Sequence, residues 1–430
     1  MEYGLIGKPL KHSFSKQVHS EIADYNYELH ELDESYFSEF MTTRNFKAIN
    51  VTIPYKKKVL SYISKLSPDA RAAGAVNTVI NIKGELYGFN TDIYGVMATF
   101  DHFHVNIKGK NVLILGTGAT SNTIYATLER CGAAHIYKAY RSTSRIKGDV
   151  LYEDIKQVSS DINILINATA NGTYPNIFDN ELVNLDDFTK LEFIMDVVYN
   201  PYRTKLISDG MSRGIKTATG LYMLISQAVY ASKLFTEDKI IQKYDASELF
   251  TKNEKEEIGK TTHEIFSKYL SGKQNIVLIG MPGCGKSTIG RKMSRMLDRE
   301  FIDTDELIEQ KTGISPSEYI TKNGEEKFRN IESEVIKEIS DKQNVIIATG
   351  GGAILRSENV QNLKLYGKLF FINRPVGELQ DATSRPLTGS DKLLAKVYKE
   401  RLPIYKKVCD EEILSELDIA KEIKSILDKL

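Results

Sequence analysis

The chain has 430 residues, 41% hydrophobic and 27% charged, which is typical of a soluble globular protein long enough for two to four domains. Its 57 basic residues equal its 57 acidic residues, so the charge balance does not favour nucleic acid or another polyanion as a partner. Three scattered cysteines exclude a disulfide framework, and no apolar stretch has the length of a signal peptide or a membrane span, so we expect a cytoplasmic protein without membrane association.

Residues 1–109 alternate short apolar runs with helical stretches, the pattern of βαβ units. Strands are predicted at Tyr3–Ile6, Tyr27–Leu32 and Ala48–Thr52, and helices at about 16–25 and 35–43. Ligands bind outside the carboxyl ends of strands in open α/β sheets. Three polar clusters follow strand ends and a fourth lies between the last two: GKPLKHSFS (7–15), NVTIPYK (50–56), GFNTD (88–92) and GAVNT (74–78). Each cluster alone is more typical of turn chemistry than of a site.

Together these clusters resemble shikimate dehydrogenase, whose pattern includes paired serines near the N-terminus, N-V-T-x-P-x-K, G-A-x-N-T and N-T-D-x-x-G. The resemblance implies that Lys56 is the catalytic lysine and is paired with Asp92. That pairing suits the reduction of a ketone, because an ammonium group beside a carboxylate can supply a proton to the developing alkoxide. The resemblance also implies that the substrate carboxylate is held by Ser13, Ser15 and Thr52. It implies that the ring hydroxyls are held by Asn50, Asn77 and Asp92.

Residues 110–220 carry the features of a dinucleotide-binding domain. A strand at Asn111–Leu115 leads into GTGATS (116–121), which opens a helix. This glycine pattern is weak alone and gains weight from its place between strand and helix. The next strand, His135–Ala139, ends in YRSTSR (140–145), where basic residues accommodate the 2′-phosphate of NADP. The predicted cofactor contacts are Gly116, Gly118, Ala119, Thr120, Ser121, Arg141, Ser142 and Arg145. Two solvated arginines on a loop are the alternative interpretation.

Three later segments extend the same resemblance. NATANG (167–172) is similar to the family's N-A-T-x-x-G-M, with Thr173 in place of methionine, and it implies cofactor contacts from Asn167 and Thr169. DVVYNPYRTKL (196–206) and GLYMLISQA (220–228) imply substrate contacts from Tyr199 and Gln227 and a cofactor contact from Gly220. The helix from Leu221 is expected to pack back on the first half. Residues 1–109 and 221–245 would then form the substrate-binding domain, and 110–220 the NADP-binding domain.

A charged connector follows at residues 246–274. It contains no strand pattern, but Ile258, Ile265, Phe266, Tyr269 and Leu270 fall on one helical stripe. Gly272 is predicted to follow the end of that helix. We expect a partly helical linker that docks lightly on one neighbouring domain.

Residues 275–430 open on IVLIGMPGCGKST (276–288), which fits the phosphate-loop pattern G-x-x-x-x-G-K-[ST] between a buried strand and a helix. The backbone N–H groups of such a loop form a cradle for nucleotide phosphates. Lys286 is predicted to reach the outer phosphates, and Ser287 to hold Mg²⁺. The predicted nucleotide contacts are Gly283, Cys284, Gly285, Lys286, Ser287 and Thr288.

The motifs after the loop are, in order, DTD (303–305), GEEKFRNIE (324–332), TGGG (349–352), SRPLTGSD (384–391) and ERLPIYKKVCD (400–410). Each motif taken alone could equally be a turn or a residue in a surface ion pair. In this order they resemble shikimate kinase, a relative of nucleoside monophosphate kinases. The resemblance implies that Asp303 holds Mg²⁺ through water and that Asp305 takes the proton of the attacked hydroxyl. It further implies substrate contacts from Arg329, Gly350, Gly351, Gly352 and Arg401, and a mobile lid carrying Arg385.

The expected fold class is α/β: a substrate domain, a Rossmann-type NADP domain, and a P-loop kinase domain of the nucleoside monophosphate kinase-like type with a parallel sheet. The two resemblances imply NADPH-dependent reduction of 3-dehydroshikimate followed by ATP–Mg²⁺-dependent phosphorylation of shikimate. We expect small-molecule partners only, in a monomer or homodimer. A catabolic, NAD-dependent quinate/shikimate dehydrogenase is one alternative, and the basic 141–145 segment argues against it. A ligand-sensing regulator without catalysis is the other, and the retained catalytic residues argue against that.

Overall fold

The computed structural model describes the whole chain except residues 12, 142–149, 175, 178–181, 237–239, 380–390 and 416–417. The chain divides into an N-terminal unit, Met1–Ser267, and a C-terminal unit, Lys268–Leu430. Within the described ranges, no helix combines the length and the apolar composition that crossing a membrane requires.

The N-terminal unit begins with a six-stranded sheet in the order β2-β1-β3-β5-β6-β4. Its strands are β1 (Tyr3–Gly7), β2 (Tyr27–Glu31), β3 (Ala48–Val51), β4 (Lys65–Leu66), β5 (Thr78–Ile82) and β6 (Glu85–Phe89), with helices α1 (Ser15–Ile22), α2 (Glu34–Thr43), α3 (Pro68–Ala73) and α4 (Asp92–His102). β1 pairs in parallel with β2 and β3, whereas β5 runs antiparallel to β3 and β6. The amino end of β5 therefore meets the carboxyl ends of β3 and β6 at one edge.

The second sheet of this unit is parallel throughout and has the order β12-β11-β10-β7-β8-β9. The elements are β7 (Asn111–Leu115), α5 (Ala119–Arg130), β8 (His135–Tyr140), β9 (Val150–Leu151), β10 (Ile164–Asn167), β11 (Phe193–Asp196), α6 (Lys205–Ser212) and β12 (Lys216–Ala218). Counting from β7, this is the 3-2-1-4-5-6 arrangement of dinucleotide-binding sheets. The predicted Rossmann-type domain is confirmed.

Helix α7 (Gly220–Phe235) links the two sheets, because it packs against both α4 and α1. The α4–α7 approach is close at Gly95, where an added Cβ would lie 2.8 Å from the Met223 carbonyl oxygen and 3.1 Å from the Gln227 Cβ. A larger residue at this position would push the helices apart. α7 therefore returns to the first half of the unit, and it brings the Gln227 Oε1 within 3.3 Å of the Asn77 Nδ2.

The charged connector is more ordered than a lightly docked linker. After α8 (Ile240–Lys243), a single helix α9 runs over Lys252–Lys273. Ile258 and Ile265 are buried, and the Phe266 ring lies 5.1 Å from the Tyr222 ring of α7. Most of α9 is thus part of the N-terminal unit. Gly272 does not follow the helix end as predicted, since it lies inside α9.

The C-terminal unit is built on a five-stranded parallel sheet in the order β14-β15-β13-β16-β17. The strands are β13 (Asn275–Ile279), β14 (Phe301–Asp303), β15 (Ile346–Ala348), β16 (Gly367–Asn373) and β17 (Glu411–Leu414), and the helices are α10 (Lys286–Leu297), α11 (Thr304–Thr312), α12 (Pro316–Asn323), α13 (Glu325–Glu338), α14 (Ser357–Lys364), α15 (Asp391–Val408) and α16 (Ile419–Leu427). β13 is buried along its whole length and leads directly into the phosphate loop. The predicted parallel sheet is confirmed.

Candidate active sites

The centre of the first site is a buried ion pair between Lys56 and Asp92. Lys56 lies in the turn after β3, and Asp92 is the first residue of α4. The Lys56 Nζ is 2.6 Å from the Asp92 Oδ2, and the side chains are 11% and 7% exposed. The positive end of the α4 dipole also lies at this carboxyl group. The contact predicted from the sequence between Lys56 and Asp92 is therefore formed, and it holds the amine in one place.

The orientation of Asp92 is fixed by Asn77. The Asn77 Nδ2 donates to the Asp92 Oδ1 at 3.0 Å, and the Asn77 Oδ1 accepts from the Thr91 backbone N–H at 2.7 Å. Because that backbone group can only donate, the amide oxygen must face it and the amide nitrogen must face the carboxylate. The Gln227 Oε1 lies 3.3 Å from the same Nδ2, so α7 joins this network.

Asn50 is held by a second set of buried contacts. Its Oδ1 accepts from the Tyr27 hydroxyl at 2.7 Å, and its Nδ2 lies 3.2 Å from the Asn77 carbonyl oxygen. Tyr27 in turn stacks on the His19 ring, with centroids 3.8 Å apart. Burial lowers the pKa of His19 to about 3, so this imidazole is neutral. Sequence reasoning missed the supporting role of His19 and Tyr27, because nothing in their spacing indicates contact with Asn50.

The residues predicted to hold the substrate carboxylate come from the loops after β1 and β3. The Ser13 and Ser15 hydroxyl oxygens are 3.2 Å apart, in the segment that opens α1. Thr52 follows β3 directly and is half-buried. Tyr199 comes from the loop after β11, and its ring packs 5.2 Å from that of Phe14. Burial raises the pKa of the Tyr199 phenol, which therefore stays protonated and able to donate a hydrogen bond.

The predicted dinucleotide loop connects β7 to α5. Gly116 has φ +107°, and Gly118 precedes the first helical residues, Ala119 and Thr120. The free N–H groups at this helix start can bind an anionic phosphate. The Ser121 hydroxyl is fully buried and donates to the Gly116 carbonyl oxygen at 2.6 Å. In this structure Ser121 braces the loop from within, so its hydroxyl does not point toward a ligand.

Arg141 is the described member of the predicted 2′-phosphate site. It follows β8, is exposed, and lies over the Tyr152 ring with its guanidinium carbon 5.5 Å from the centroid. This stacking leaves the N–H groups along the guanidinium edge available to an anion. Ser142 and Arg145, the other two predicted contacts, lie outside the described residues.

Asn167 and Thr169 form a compact turn beside the glycine loop. The Asn167 Oδ1 accepts from the Thr169 N–H at 3.0 Å and from its hydroxyl at 2.7 Å. A Cβ on Gly116 would lie 2.9 Å from the Thr169 Cγ2, so the two segments touch. At Gly220 an added Cβ would lie 2.0 Å from the Val197 carbonyl oxygen, so glycine is required there by close packing of α7 on the chain.

Asp196 is a fully buried carboxyl group that sequence reasoning did not single out. Its Oδ1 accepts from the Asn167 Nδ2 at 2.9 Å and from the Val198 N–H at 3.0 Å, and its Oδ2 accepts from the Thr204 hydroxyl at 2.7 Å. Burial raises the pKa of Asp196 to about 7, with the hydrogen bonds acting in the opposite direction. Asp196 ties the Asn167 turn to the loop that carries Tyr199.

The phosphate loop of the second site has the predicted shape. Gly283 and Gly285 adopt φ angles of +78° and +96°, which only glycine adopts readily. The Lys286 Nζ donates to the Gly280 and Met281 carbonyl oxygens, each at 2.9 Å. Lys286 thus closes the loop on itself. Cys284 is buried with its sulfur 3.6 Å from that amine, and Thr288 is exposed on α10.

Ser287 and Asp303, the residues predicted to hold Mg²⁺, contact each other directly. The Ser287 hydroxyl donates to the Asp303 Oδ2 at 2.6 Å, while the Asp303 Oδ1 accepts from the Asp305 N–H at 3.0 Å. Mg²⁺ prefers hard oxygen ligands and keeps several of its waters. A hydroxyl and a carboxylate side by side at the end of the loop fit such an ion.

The predicted carboxylate-binding arginines surround the glycine segment after β15. A Cβ on Gly352 would lie 2.2 Å from both terminal nitrogens of Arg329, so the guanidinium packs flat on this glycine. The Arg401 Nη1 donates to the Gly351 carbonyl oxygen at 3.0 Å. At Gly350 an added Cβ would lie 2.8 Å from the Asp305 Oδ1. The structure therefore brings Arg329, Arg401, Asp305 and the glycines together. Arg385 lies outside the described residues.

Glu332 and Tyr405 belong to this pocket, although no role was predicted for them. The Glu332 Oε2 accepts from the Arg329 Nη1 at 2.7 Å, and its buried Oε1 has no hydrogen-bond partner within the part of the chain that the structure describes. Burial raises the pKa of Glu332, with Arg329 acting in the opposite direction. The Tyr405 hydroxyl donates to the Gly351 carbonyl oxygen at 2.5 Å. The spacing of three residues between Arg329 and Glu332 was a signal that could have revealed this helical pair.

Family models match a part of each unit. The family model "Shikimate dehydrogenase substrate binding domain" matches residues 5–79, and the family model "Shikimate kinase" matches residues 282–430. A shikimate dehydrogenase (NADP(+)) of Clostridium perfringens is 33% identical over 254 residues, which are 55% of this chain and 93% of the relative. Another, from Halothermothrix orenii, is 33% identical over 282 residues, or 60% and 95%.

Solved structures of shikimate dehydrogenases are similar to the N-terminal unit. Shikimate dehydrogenase 1 from Peptoclostridium difficile is 28% identical with a TM-score of 0.53, covering 62% of this chain and 99% of that one. A chorismate mutase/shikimate 5-dehydrogenase fusion protein from Clostridium acetobutylicum is 28% identical with a TM-score of 0.52, covering 62% and 98%.

Fold and sites define a protein of two nucleotide-binding units, one of the Rossmann type and one of the P-loop type. The chain belongs to the shikimate dehydrogenase family, and its C-terminal unit is a shikimate kinase domain.

Proposed function

We propose that the chain catalyses two consecutive reactions. The N-terminal unit reduces 3-dehydroshikimate to shikimate with NADPH, and the C-terminal unit phosphorylates shikimate at its 3-hydroxyl with ATP and Mg²⁺. The product of the first reaction is the substrate of the second, which gives a joint purpose to two units in one chain.

The buried Lys56–Asp92 pair carries the proposal for the reduction. Hydride from NADPH adds to the ketone carbon, and Lys56 transfers a proton to the oxygen as the alcohol forms. Asp92, fixed by Asn77, keeps the amine oriented before the reaction. Solvent then returns a proton to Lys56, so the pair is ready for another turnover.

The two arginines around the glycine segment carry the proposal for the phosphorylation. A planar guanidinium suits a carboxylate, and Arg329 packs on Gly352 while Arg401 contacts the neighbouring Gly351. Asp305 at the same place can accept the proton of the attacking hydroxyl as its oxygen bonds to the γ-phosphorus and ADP leaves. Mg²⁺, when bound near Ser287 and Asp303, supplies positive charge to the phosphates.

The decisive experiment supplies the purified full chain with 3-dehydroshikimate, NADPH and ATP–Mg²⁺, and follows products by mass spectrometry. We expect shikimate 3-phosphate, only shikimate when ATP is omitted, and neither when NADPH is omitted. Lys56→Ala should stop the first step yet still phosphorylate added shikimate. The matched control is Lys58→Ala, which removes a partly exposed lysine paired with Glu34 nearby and should leave both steps intact.

Absence of both products under these conditions would contradict the proposal. Tight binding of shikimate without turnover would instead favour the non-catalytic, ligand-sensing alternative.

A further inference from the structure

A buried ion pair in the C-terminal unit lies against the phosphate loop. Arg374 is the first residue after β16, and Glu422 lies on α16. The Arg374 Nη2 is 3.4 Å from the Glu422 Oε1, and the side chains are 6% and 1% exposed. The Arg374 Nε also donates to the Ser415 hydroxyl at 3.0 Å. Burying two charges is costly, and such a pair is weak evidence for a purely stabilising role.

The position of the guanidinium connects it to the nucleotide site. A Cβ added to Gly285 would lie 3.4 Å from the Arg374 Nη2 and 3.7 Å from its Nη1. Gly285 is the residue immediately before Lys286 and the start of α10. β13, β16 and β17 are neighbours in the sheet, and they lead into the phosphate loop, Arg374 and Ser415 respectively. The Arg374 charge therefore lies at the carboxyl edge of the sheet, where phosphates are bound.

The charges around Arg374 are not arranged as a saturated structural network. The Glu422 Oε1 contacts both Arg374 and the Ser415 hydroxyl, whereas its Oε2 is buried and has no hydrogen-bond partner among the described residues. A buried polar atom without a partner is uncommon in a network that only stabilises a fold.

We propose that Arg374 is a positioning residue for the nucleotide. Its charge, held against Gly285 by Ser415 and Glu422, strengthens the binding of nucleotide phosphates by the loop, and Glu422 moderates that charge. The inference rests on the proposed kinase function. It makes a prediction that a structural tie between β16, β17 and α16 does not make: removing the cation weakens nucleotide binding, whereas removing the anion does not.

The test is calorimetric titration of the full chain with MgADP, alongside steady-state kinetics of the kinase reaction. Arg374→Met should bind MgADP at least about tenfold more weakly, as expected for loss of one charge-assisted interaction. Arg374→Lys should retain most of the affinity, because it keeps the charge. Glu422→Gln should bind as tightly as the unaltered chain or more tightly. The KM for ATP should rise in Arg374→Met while the KM for shikimate stays unchanged.

The matched control is Lys364→Met. Lys364 pairs with Asp410 at 3.6 Å, is 16% exposed, and lies by the amino ends of the same strands. Its loss should lower the melting temperature and leave MgADP affinity unchanged.

Equal weakening in Arg374→Met and Glu422→Gln would overturn the inference, because only a structural tie predicts it. If Arg374→Met does not fold, the MgADP affinities of Arg374→Lys and Glu422→Gln decide. Weaker MgADP binding by Glu422→Gln would again contradict the inference. Failure of the unaltered chain to bind MgADP would overturn the kinase proposal itself and this inference with it. If the unaltered chain binds MgADP, a contrary result in the variants overturns only the inference about Arg374.

Discussion

Lys56 and Asp92 should act as a unit, and a double-mutant cycle can measure this. Lys56→Ala removes the proton donor, which typically contributes about 10²–10⁴ to the rate. Asp92→Asn leaves the amine in place but removes the partner 2.6 Å away. A charge-assisted hydrogen bond contributes roughly 1.5–3 kcal/mol, or about 10- to 150-fold, so we expect Asp92→Asn to lower kcat by about that factor.

The double variant should be little worse than Lys56→Ala. Without the amine, Asp92 has no ammonium group to orient, so its loss should cost less than about threefold more. Independent residues would instead multiply their effects, to a loss of roughly 10³–10⁶ from the same single-variant values. The assay is NADPH consumption at saturating 3-dehydroshikimate.

The kinase reaction of the same chain provides an internal control. Breaking a buried pair from one side can cost about 3–5 kcal/mol of stability, so a folding defect must be separated from a catalytic one. Normal phosphorylation of added shikimate together with unchanged circular dichroism establishes an intact preparation. If the losses in kcat of the two single variants multiply in the double variant of such preparations, the pairing is refuted. Unchanged turnover with weaker substrate binding in Lys56→Ala would instead make Lys56 a substrate anchor.

Three further predictions follow from the two sites. NADPH should be preferred over NADH by at least about tenfold in kcat/KM, and Arg141→Ala should remove most of that preference; equal use of both cofactors by the unaltered chain would contradict the NADP assignment. Lys286→Met should abolish phosphorylation and leave the reduction unchanged in the same preparation. For Asp196, a folded-state pKa of about 7 lies above its unfolded value, so its contribution to the stability of the N-terminal unit is fully present below about pH 4 and is lost, by up to about 4 kcal/mol, as the pH rises through 7. Asp196→Asn should flatten this pH dependence in the calorimetric transition that NADPH shifts upward, and an unchanged slope would refute the cause given for it.

The parts of the molecule that local sequence determines were predictable. The phosphate loop and the dinucleotide loop each need glycines between a buried strand and a helix, and both form where the patterns placed them. β7 begins and ends where predicted, at Asn111–Leu115. The Lys56–Asp92 pair was predicted through family resemblance, since their separation in sequence indicates nothing about contact.

Features that depend on packing were not predictable. Ser121 matches the dinucleotide pattern, yet its hydroxyl turns inward to the Gly116 carbonyl, and a pattern does not distinguish the two orientations. Gly272 is a typical residue after a helix end, but the Gln274 N–H still bonds to the Leu270 carbonyl at 2.9 Å, so the helical geometry passes through it. A single glycine in a helix costs only about 1 kcal/mol, and the packing of α9 on the N-terminal unit outweighs that.

The cations at the two sites share one physical arrangement. Lys56, Arg329 and Arg374 are each largely buried, and each is paired with carboxylates: Lys56 with Asp92, Arg329 with Glu325 and Glu332, and Arg374 with Glu422. A buried cation without a partner would lower stability, whereas a cation fully neutralised by its partner would attract an anionic ligand weakly.

A carboxylate that contacts the cation through only one oxygen meets both requirements, since it stabilises the buried charge without fully neutralising it. Glu332 and Glu422 each use one oxygen on the arginine, and the other oxygen accepts no hydrogen bond from the residues that the structure describes. The guanidinium groups are thereby held against glycine backbone, where no side chain separates them from a ligand's phosphate or carboxylate. At such positions the glycines matter because they let the charge approach, and the carboxylates matter because they hold it in place until the ligand binds.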